Sequence, residues 1–188
     1  MLDIVPAPCT PQVCGFLRAR PDCCPPGQLL SLARSLGVPE VEVLLLEREG
    51  RLQEAAALLR AGLQEQVEAL VGATEDGNTA LQWTALNTAL IVAVTFLQRV
   101  SSSLATVQAR EELWCPLLAT VSAPLAKLSE AGVVWRWREL VRHVVSSMLG
   151  HVRHDKVVAA VLADPGYTDT SNWSELRRLL GEIIDTFR

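Results

Sequence analysis

The residues in this 188-residue chain best suited to chemistry are five cysteines and three histidines. Four of the thiols, Cys9, Cys14, Cys23 and Cys24, crowd into the first 27 residues. A structural zinc site presents its thiolates in paired C-x2-C knuckles, often completed by histidine. Here the spacing is C-x4-C-x8-C-C with no histidine nearby, which does not build a tetrahedral metal site. The adjacent pair Cys23 and Cys24 invites a second reading, lipidation at a membrane surface, but no basic or amphipathic segment flanks it. Cys115 reads as a small hydrophobic core residue.

His151, His154 and Asp155 stand at i, i+3 and i+4. On one continuous helix they would share a face, and two imidazoles with a carboxylate can ligate a metal. Gly150 favours a helix break at that point, and Val152 stands where the glutamate of an H-E-x-x-H motif would be. An exposed polar turn is therefore the expectation. The chain has no G-x-S-x-G, no G-x-x-x-x-G-K-[ST] and no G-x-G-x-x-G. All three histidines fall between positions 143 and 154, so a Ser-His-Asp triad would have to be built around that one segment. No catalytic, cofactor-binding or metal-ligating residue is assigned, and no cofactor is expected.

Composition points to helix packing. Hydrophobic residues make up 49%, charged residues 20% and aromatic residues 5%, with a mean hydropathy of +0.24. Disordered chains need low hydrophobicity and high charge, so this one folds. Leu, Val and Ala supply the apolar content, which suits helix-on-helix packing better than a β-sandwich. The net charge of −4 argues against a general nucleic-acid binder. The first four residues, MLDI, have neither the basic nor the apolar region of a secretory signal, so reduced thiols are expected. The greasiest run, ALIVAVTFL at 89–97, is nine residues long. A membrane-spanning helix needs roughly 20 mostly apolar residues, so this run reads as a buried core helix of a soluble chain.

Along the sequence, residues 1–27 hold six of the ten prolines and read as an irregular leader, with a short apolar turn around positions 13–17. From Gln28 onward the pattern is helical. Gly37 and Gly50 stop the first two helices, and Pro39 sits where a first helical residue should. Leu52, Ala55, Leu59, Leu63, Val67 and Leu70 then recur at three- and four-residue steps, one apolar stripe of a long helix. GATEDGN at 72–78 is a loop by composition. Thr79 opens the greasy helix, which fades into Ser101-Ser102-Ser103. The next helix is expected near Arg110, with Glu111 and Glu112 in its first turn, and with Pro116 and Pro124 kinking or interrupting it. Gly132 ends that stretch. Helices over 135–150, 154–163 and 173–187 complete an all-α protein of about eight helices in antiparallel hairpins.

Two surface features stand out. In Trp135-Arg136-Trp137-Arg138, the two indoles point about 200° apart on a helix. One ring is expected to pack inward while arginine stems cover the other, and partner contact is the second reading. Residues 40–76 hold nine acidic and three basic residues, whereas 135–156 hold five basic and two acidic. These read as solvated helix faces, or as an acidic and a basic docking surface.

The most informative segment is VEVLLLEREGRLQEAAALLRAGLQEQVEAL at 41–70. A helix ends in a glycine turn and the next opens with a polar turn before Ala55 and Ala56, where small side chains let two helices approach closely. Helical solenoids use this arrangement in each repeat. The segment resembles a clathrin-heavy-chain-type repeat in the vacuolar protein sorting-associated protein 8 family, subunits of the CORVET endosomal tether. Two further stretches match in order. REELWCPLL at 110–118 is similar to R-E-x-L-W-x-P-L-L, and LADPGY at 162–167, with Leu180-Gly181 and Asp185-Thr186-Phe187, is similar to L-x-D-P-x-Y, L-G and D-T-F.

This resemblance covers residues 28–188 and implies an α-solenoid fragment of a large protein that also carries a β-propeller and a RING-type zinc domain. It implies a non-enzymatic scaffold segment that supports endosome fusion and trafficking to the vacuole or lysosome. The implied partners are other tethering subunits and, through the full-length protein, a Rab-family small GTPase, with no nucleic acid. The implied location is cytoplasmic, peripheral on the endosomal membrane through the complex. No partner-binding residue carries over from the family. The alternative is a self-contained all-α domain that binds a small ligand or a single partner between its helices. Such a closed bundle would bury residues 81–100 on all sides, whereas a solenoid piece leaves apolar surface open.

Overall fold

The structure, a computed structural model, describes residues 10–20, 25–73, 79–126, 131–162, 177–178 and 181. Among these the chain is all-α, with eight α-helices and no strand. It divides into two units, residues 1–59 and 60–188, each considered by itself. The last segment that the sequence marks as a helix, 173–187, lies almost wholly outside the described residues.

The first unit contains α1 (Thr10–Ala19), α2 (Pro26–Leu36), α3 (Pro39–Arg48) and the start of α4 (Leu52–Ala73). The expected irregular leader therefore contains a helix. Pro11 sits in the first turn of α1, where its missing N–H would find no intrahelical partner anyway. Cys14 and Leu17, one turn apart, give α1 a buried face against α3. The Arg48 guanidinium at the end of α3 donates to the Leu17 carbonyl, one of the last carbonyls of α1. The start of α2 falls at Pro26 rather than Gln28, because proline is preorganised for a first helical position.

Both glycine stops hold. Gly37 adopts φ 63° and Gly50 φ 73°, a left-handed conformation that costs other residues a Cβ clash. At the first, the Val38 N–H bonds to the Ala33 carbonyl and the Gly37 N–H to Arg34. At the second, the Arg51 N–H reaches Leu46 and the Gly50 N–H reaches Glu47. Both are Schellman closures, which satisfy carbonyls a helix end would otherwise leave open. Arg34 and Glu42, 2.7 Å apart, tie α2 to α3 across the first turn. Ala55, the small residue expected at a close approach, is fully buried and Ala56 half-buried.

The second unit holds the rest of α4, then α5 (Ala80–Ser101), α6 (Val107–Ser122), a short 3-10 helix (Ala123–Ala126), α7 (Ala131–Met148) and α8 (His154–Leu162). Helix α6 starts three residues earlier than expected. Thr106 caps it by accepting a hydrogen bond from the Ala109 N–H at 3.2 Å, so Glu111 and Glu112 fall beyond the first turn. Pro116 lies inside α6, which continues through it to Ser122, and the helix gives way to the 3-10 turn at Pro124. Gly132 does not end a stretch but lies in the first turn of α7, where the N-terminal amides need no intrahelical acceptor.

Helix α5 is long and apolar enough to cross a membrane by length and composition, a test that core helices also pass. It buries Leu86, Leu90, Ala93, Val94, Phe96, Leu97 and Val100 and packs against α6 and α7. Its outer face nevertheless shows Leu81, Ile91 and Val92 to solvent, so residues 81–100 are not enclosed on all sides.

The core of this unit closes around two indoles. Trp114 of α6 and Trp137 of α7 are both 0% exposed. The Trp114 Nε1–H donates to the Ser101 hydroxyl at 2.9 Å, and the Trp137 Nε1–H donates to the Val121 carbonyl at 2.5 Å. Replacing Ser101 with Ala would leave the Trp114 N–H buried with no acceptor. The expected cost is about 1–3 kcal/mol, read from urea unfolding followed by tryptophan fluorescence. Wild-type stability in S101A would show that this hydrogen bond does not hold α5 to α6.

Candidate functional site

Among the described residues, the cysteines and histidines do not gather into one cluster. Cys14 is buried in α1, and burial raises its thiol above the ordinary range, with Glu40 adding to the effect and Arg18 opposing it. Cys115 is half-buried in α6 rather than a full core residue, and burial raises it likewise, helped by Glu111 and opposed by Lys156. Neither forms a disulfide. A thiol held protonated is a poor nucleophile and a poor metal ligand, so these two sites favour packing over reactivity. Cys9, Cys23 and Cys24 lie outside the described residues.

The histidine cluster separates as the glycine suggests. Gly150 takes φ 89°, the chain turns through Leu149–Val152, and α8 begins only at His154. His151 and His154 therefore occupy a turn and a helix start rather than one helical face. Among the described residues no three His, Cys, Asp or Glu side chains gather as a metal site would require.

His151 has a different role, which spacing could not reveal. Its ring stacks on the buried Trp114 at a centroid distance of 5.8 Å and an interplanar angle of 10°. Next to it, Arg153 bonds Glu111 at 2.9 Å, so the α7–α8 turn is fastened to α6 by one stacked ring and one ion pair. Desolvation holds the His151 imidazole below its ordinary value, and the nearby Arg110 guanidinium adds to that shift.

The tryptophan–arginine motif splits as the helical period requires. Trp137 turns fully inward and meets Trp83 of α5 edge to face, with centroids 5.6 Å apart. Arg136 lies with its guanidinium 6.0 Å from the Trp83 ring centre. Trp135, by contrast, is 64% exposed. With the α7 core face taken by Val133, Trp137, Val141, Val144, Val145 and Met148, the outward stripe carries Trp135, Glu139, Arg142, His143 and Ser146. Glu139 is contacted by Arg142 and, at 3.6 Å, by Arg178.

The acidic stretch is less uniform than its composition suggests. Near the α3–α4 turn, Arg51 bridges Glu49 at 3.0 Å and Glu54 at 2.6 Å, and the hydrogen bond from Arg51 lowers the Glu54 carboxyl. Further along α4, Ala61, Glu65, Glu68 and Gly72 are all exposed on one stripe, with Gln64 donating to Glu68 at 2.7 Å.

Among the described residues the fold is all-helical, and Trp135 and the Glu65–Glu68 stripe lie on outward helix faces. In sequence, the chain is similar to the vacuolar protein sorting-associated protein 8 homolog of Homo sapiens, 27% identical over 152 residues. That match covers 79% of this chain and 10% of the human protein, so the chain spans about a tenth of the relative's length. No family model matches, and no solved structure matches.

The His151 contact has a pH consequence. A folded-state imidazole below its unfolded value stays neutral longer in the native protein, so protonation favours the unfolded chain. The stabilisation is complete above the ordinary histidine value of 6.5 and is lost as pH falls toward the lowered native value. Thermal unfolding at pH 7.5 and 5.5 is expected to show a drop at the lower pH that His151→Phe, which keeps the stack without a titrating group, makes smaller. An identical drop in H151F would show that the slope arises elsewhere.

Proposed function

We propose that this chain is a scaffold segment of an endosomal tethering subunit, acting in vacuolar protein sorting through protein–protein contacts on its helix faces. The observation that carries the reading is the sequence similarity to the human vacuolar protein sorting-associated protein 8 homolog across most of the chain. The fold supports it. Among the described residues, every substantial helix pairing joins helices one or two apart in sequence: α1 with α3, α2 with α3, α5 with α6 and α7, α6 with α7 and α8. Solenoids are built from such near-neighbour contacts. The exposed Leu81, Ile91 and Val92 on α5 weigh against the alternative of a closed ligand-binding bundle.

On this reading the chain lends shape and surface to a multi-subunit assembly, with a Rab-family GTPase engaged by other parts of the full-length protein. Its place is the cytoplasmic side of the endosome, held there by the complex. Zinc or another resident cofactor has no part in this segment. The same reading takes residues 1–27 as a leader and residues 28–188 as the solenoid piece, although α1 and the Pro26 start of α2 fall within those first 27 residues.

The test is affinity capture with the chain as bait, its helical content first verified by far-UV circular dichroism. Tether subunits identified by mass spectrometry are expected to be enriched at least about tenfold over an unrelated helical bait, a difference equivalent to about 1.4 kcal/mol. If tether subunits are recovered no better than with that control bait, the scaffold reading fails.

A further inference from the structure

The face around the exposed indole on α7 and the acidic stripe on α4 are complementary in charge. Trp135 is 64% exposed, and among the described residues Phe16, at 54%, is the other strongly exposed aromatic ring. Arg136, exposed, and Arg138 and Arg142, half-buried, share α7 with it against one carboxylate, Glu139, and that carboxylate is engaged by both Arg142 and Arg178. The face is therefore basic around an apolar centre. Tryptophan and arginine in this arrangement are the residue types that dominate protein interfaces. A lipid surface suits it poorly. An interfacial helix needs a whole apolar face to bury, and the apolar face of α7 is already spent on the core, leaving one ring outward.

The complementary surface is present in the same chain. Ala61, Glu65, Glu68 and Gly72 follow at i, i+4, i+7 and i+11, which puts them within about 60° of one another around α4 at about 100° per residue. All four are exposed, and no basic residue lies on that stripe. The two carboxylates supply the opposite charge. Ala61 and Gly72 leave the backbone open at either end, where a flat indole can lie close. Acidic and basic faces on different helices of one chain are what a heterologous, head-to-tail contact between copies requires.

We propose that the Trp135 face of α7 docks onto the Glu65–Glu68 stripe of α4 in a second copy of this chain. The contact is heterologous, so a dimer keeps one unused α7 face on one copy and one unused α4 stripe on the other, and association extends beyond a dimer as concentration rises. Desolvation of Trp135 supplies most of the affinity, and the arginine–glutamate pairs set orientation and salt dependence.

Sedimentation velocity on the purified chain reads this directly. Concentration-dependent association is expected in 50 mM salt and should weaken in 500 mM salt, where charge pairs are screened. Trp135→Ala is expected to weaken it at least about tenfold. The double variants Arg136→Glu/Arg142→Glu and Glu65→Lys/Glu68→Lys should each be monomeric. All these positions are at or near the surface, so unchanged circular dichroism and melting temperature confirm that each variant is folded. Mixing the two double variants should restore association, because each still presents one native face to the other. A wild-type chain that stays monomeric up to 200 µM (about 4 mg/mL at 20.5 kDa) overturns the proposal. So does association that survives both double variants, which would assign it to another face such as the outer side of α5. Vesicle binding by the wild type that W135A abolishes, with no self-association, overturns it in favour of a lipid surface.

Discussion

A buried indole cannot be left with an idle N–H, and the second unit is organised around two of them. The Trp114 donor finds Ser101, the fully buried polar side chain at the end of α5. The Trp137 donor finds the Val121 carbonyl near the end of α6. That carbonyl is open for a physical reason: in the 3-10 turn that follows, its i+3 partner is Pro124, which has no N–H. The proline that looks like a simple helix breaker thus frees the acceptor that holds α7 against α6. Around these two bonds pack Trp83, edge-on to Trp137, and His151, flat on Trp114, so α5, α6, α7 and the α7–α8 turn meet at one pair of rings.

The core faces of α5, α6 and α7 are committed to neighbours, while Leu81, Ile91 and Val92 of α5 stay exposed. The described residues gather no set of three His, Cys, Asp or Glu side chains that could hold a metal, and burial raises both described thiols. What distinguishes the described surface is which side chains its helices leave outside. Here these are an indole among arginines on α7, carboxylates beside small residues on α4, and an uncharged apolar edge on α5.

Much of the local structure was legible in the sequence because it depends on single residues with unusual backbone physics. Gly37 and Gly50 adopt left-handed angles that few other residues tolerate, and the 3.6-residue period of α4 is unbroken. The opposed directions of Trp135 and Trp137 followed from helical geometry alone. Boundaries decided by competition were harder to see. Thr106 outcompetes the acidic pair at 111–112 as the start of α6, and Pro11 and Pro26 open helices where proline density suggested irregular chain. The Ser101–Trp114 bond and the His151 stack join residues 13 and 37 positions apart, and no local pattern encodes a contact at that range.

The placement of the tryptophans makes the two units optically unequal. All five indoles occur at position 83 or later, so the second unit carries every one and the first unit none. Intrinsic fluorescence and the near-ultraviolet indole bands therefore see one half of the molecule. The first unit, whose helices contribute fully to peptide-bond ellipticity, is silent to both. Any divergence between those two signals during unfolding would separate the halves spectroscopically without a label.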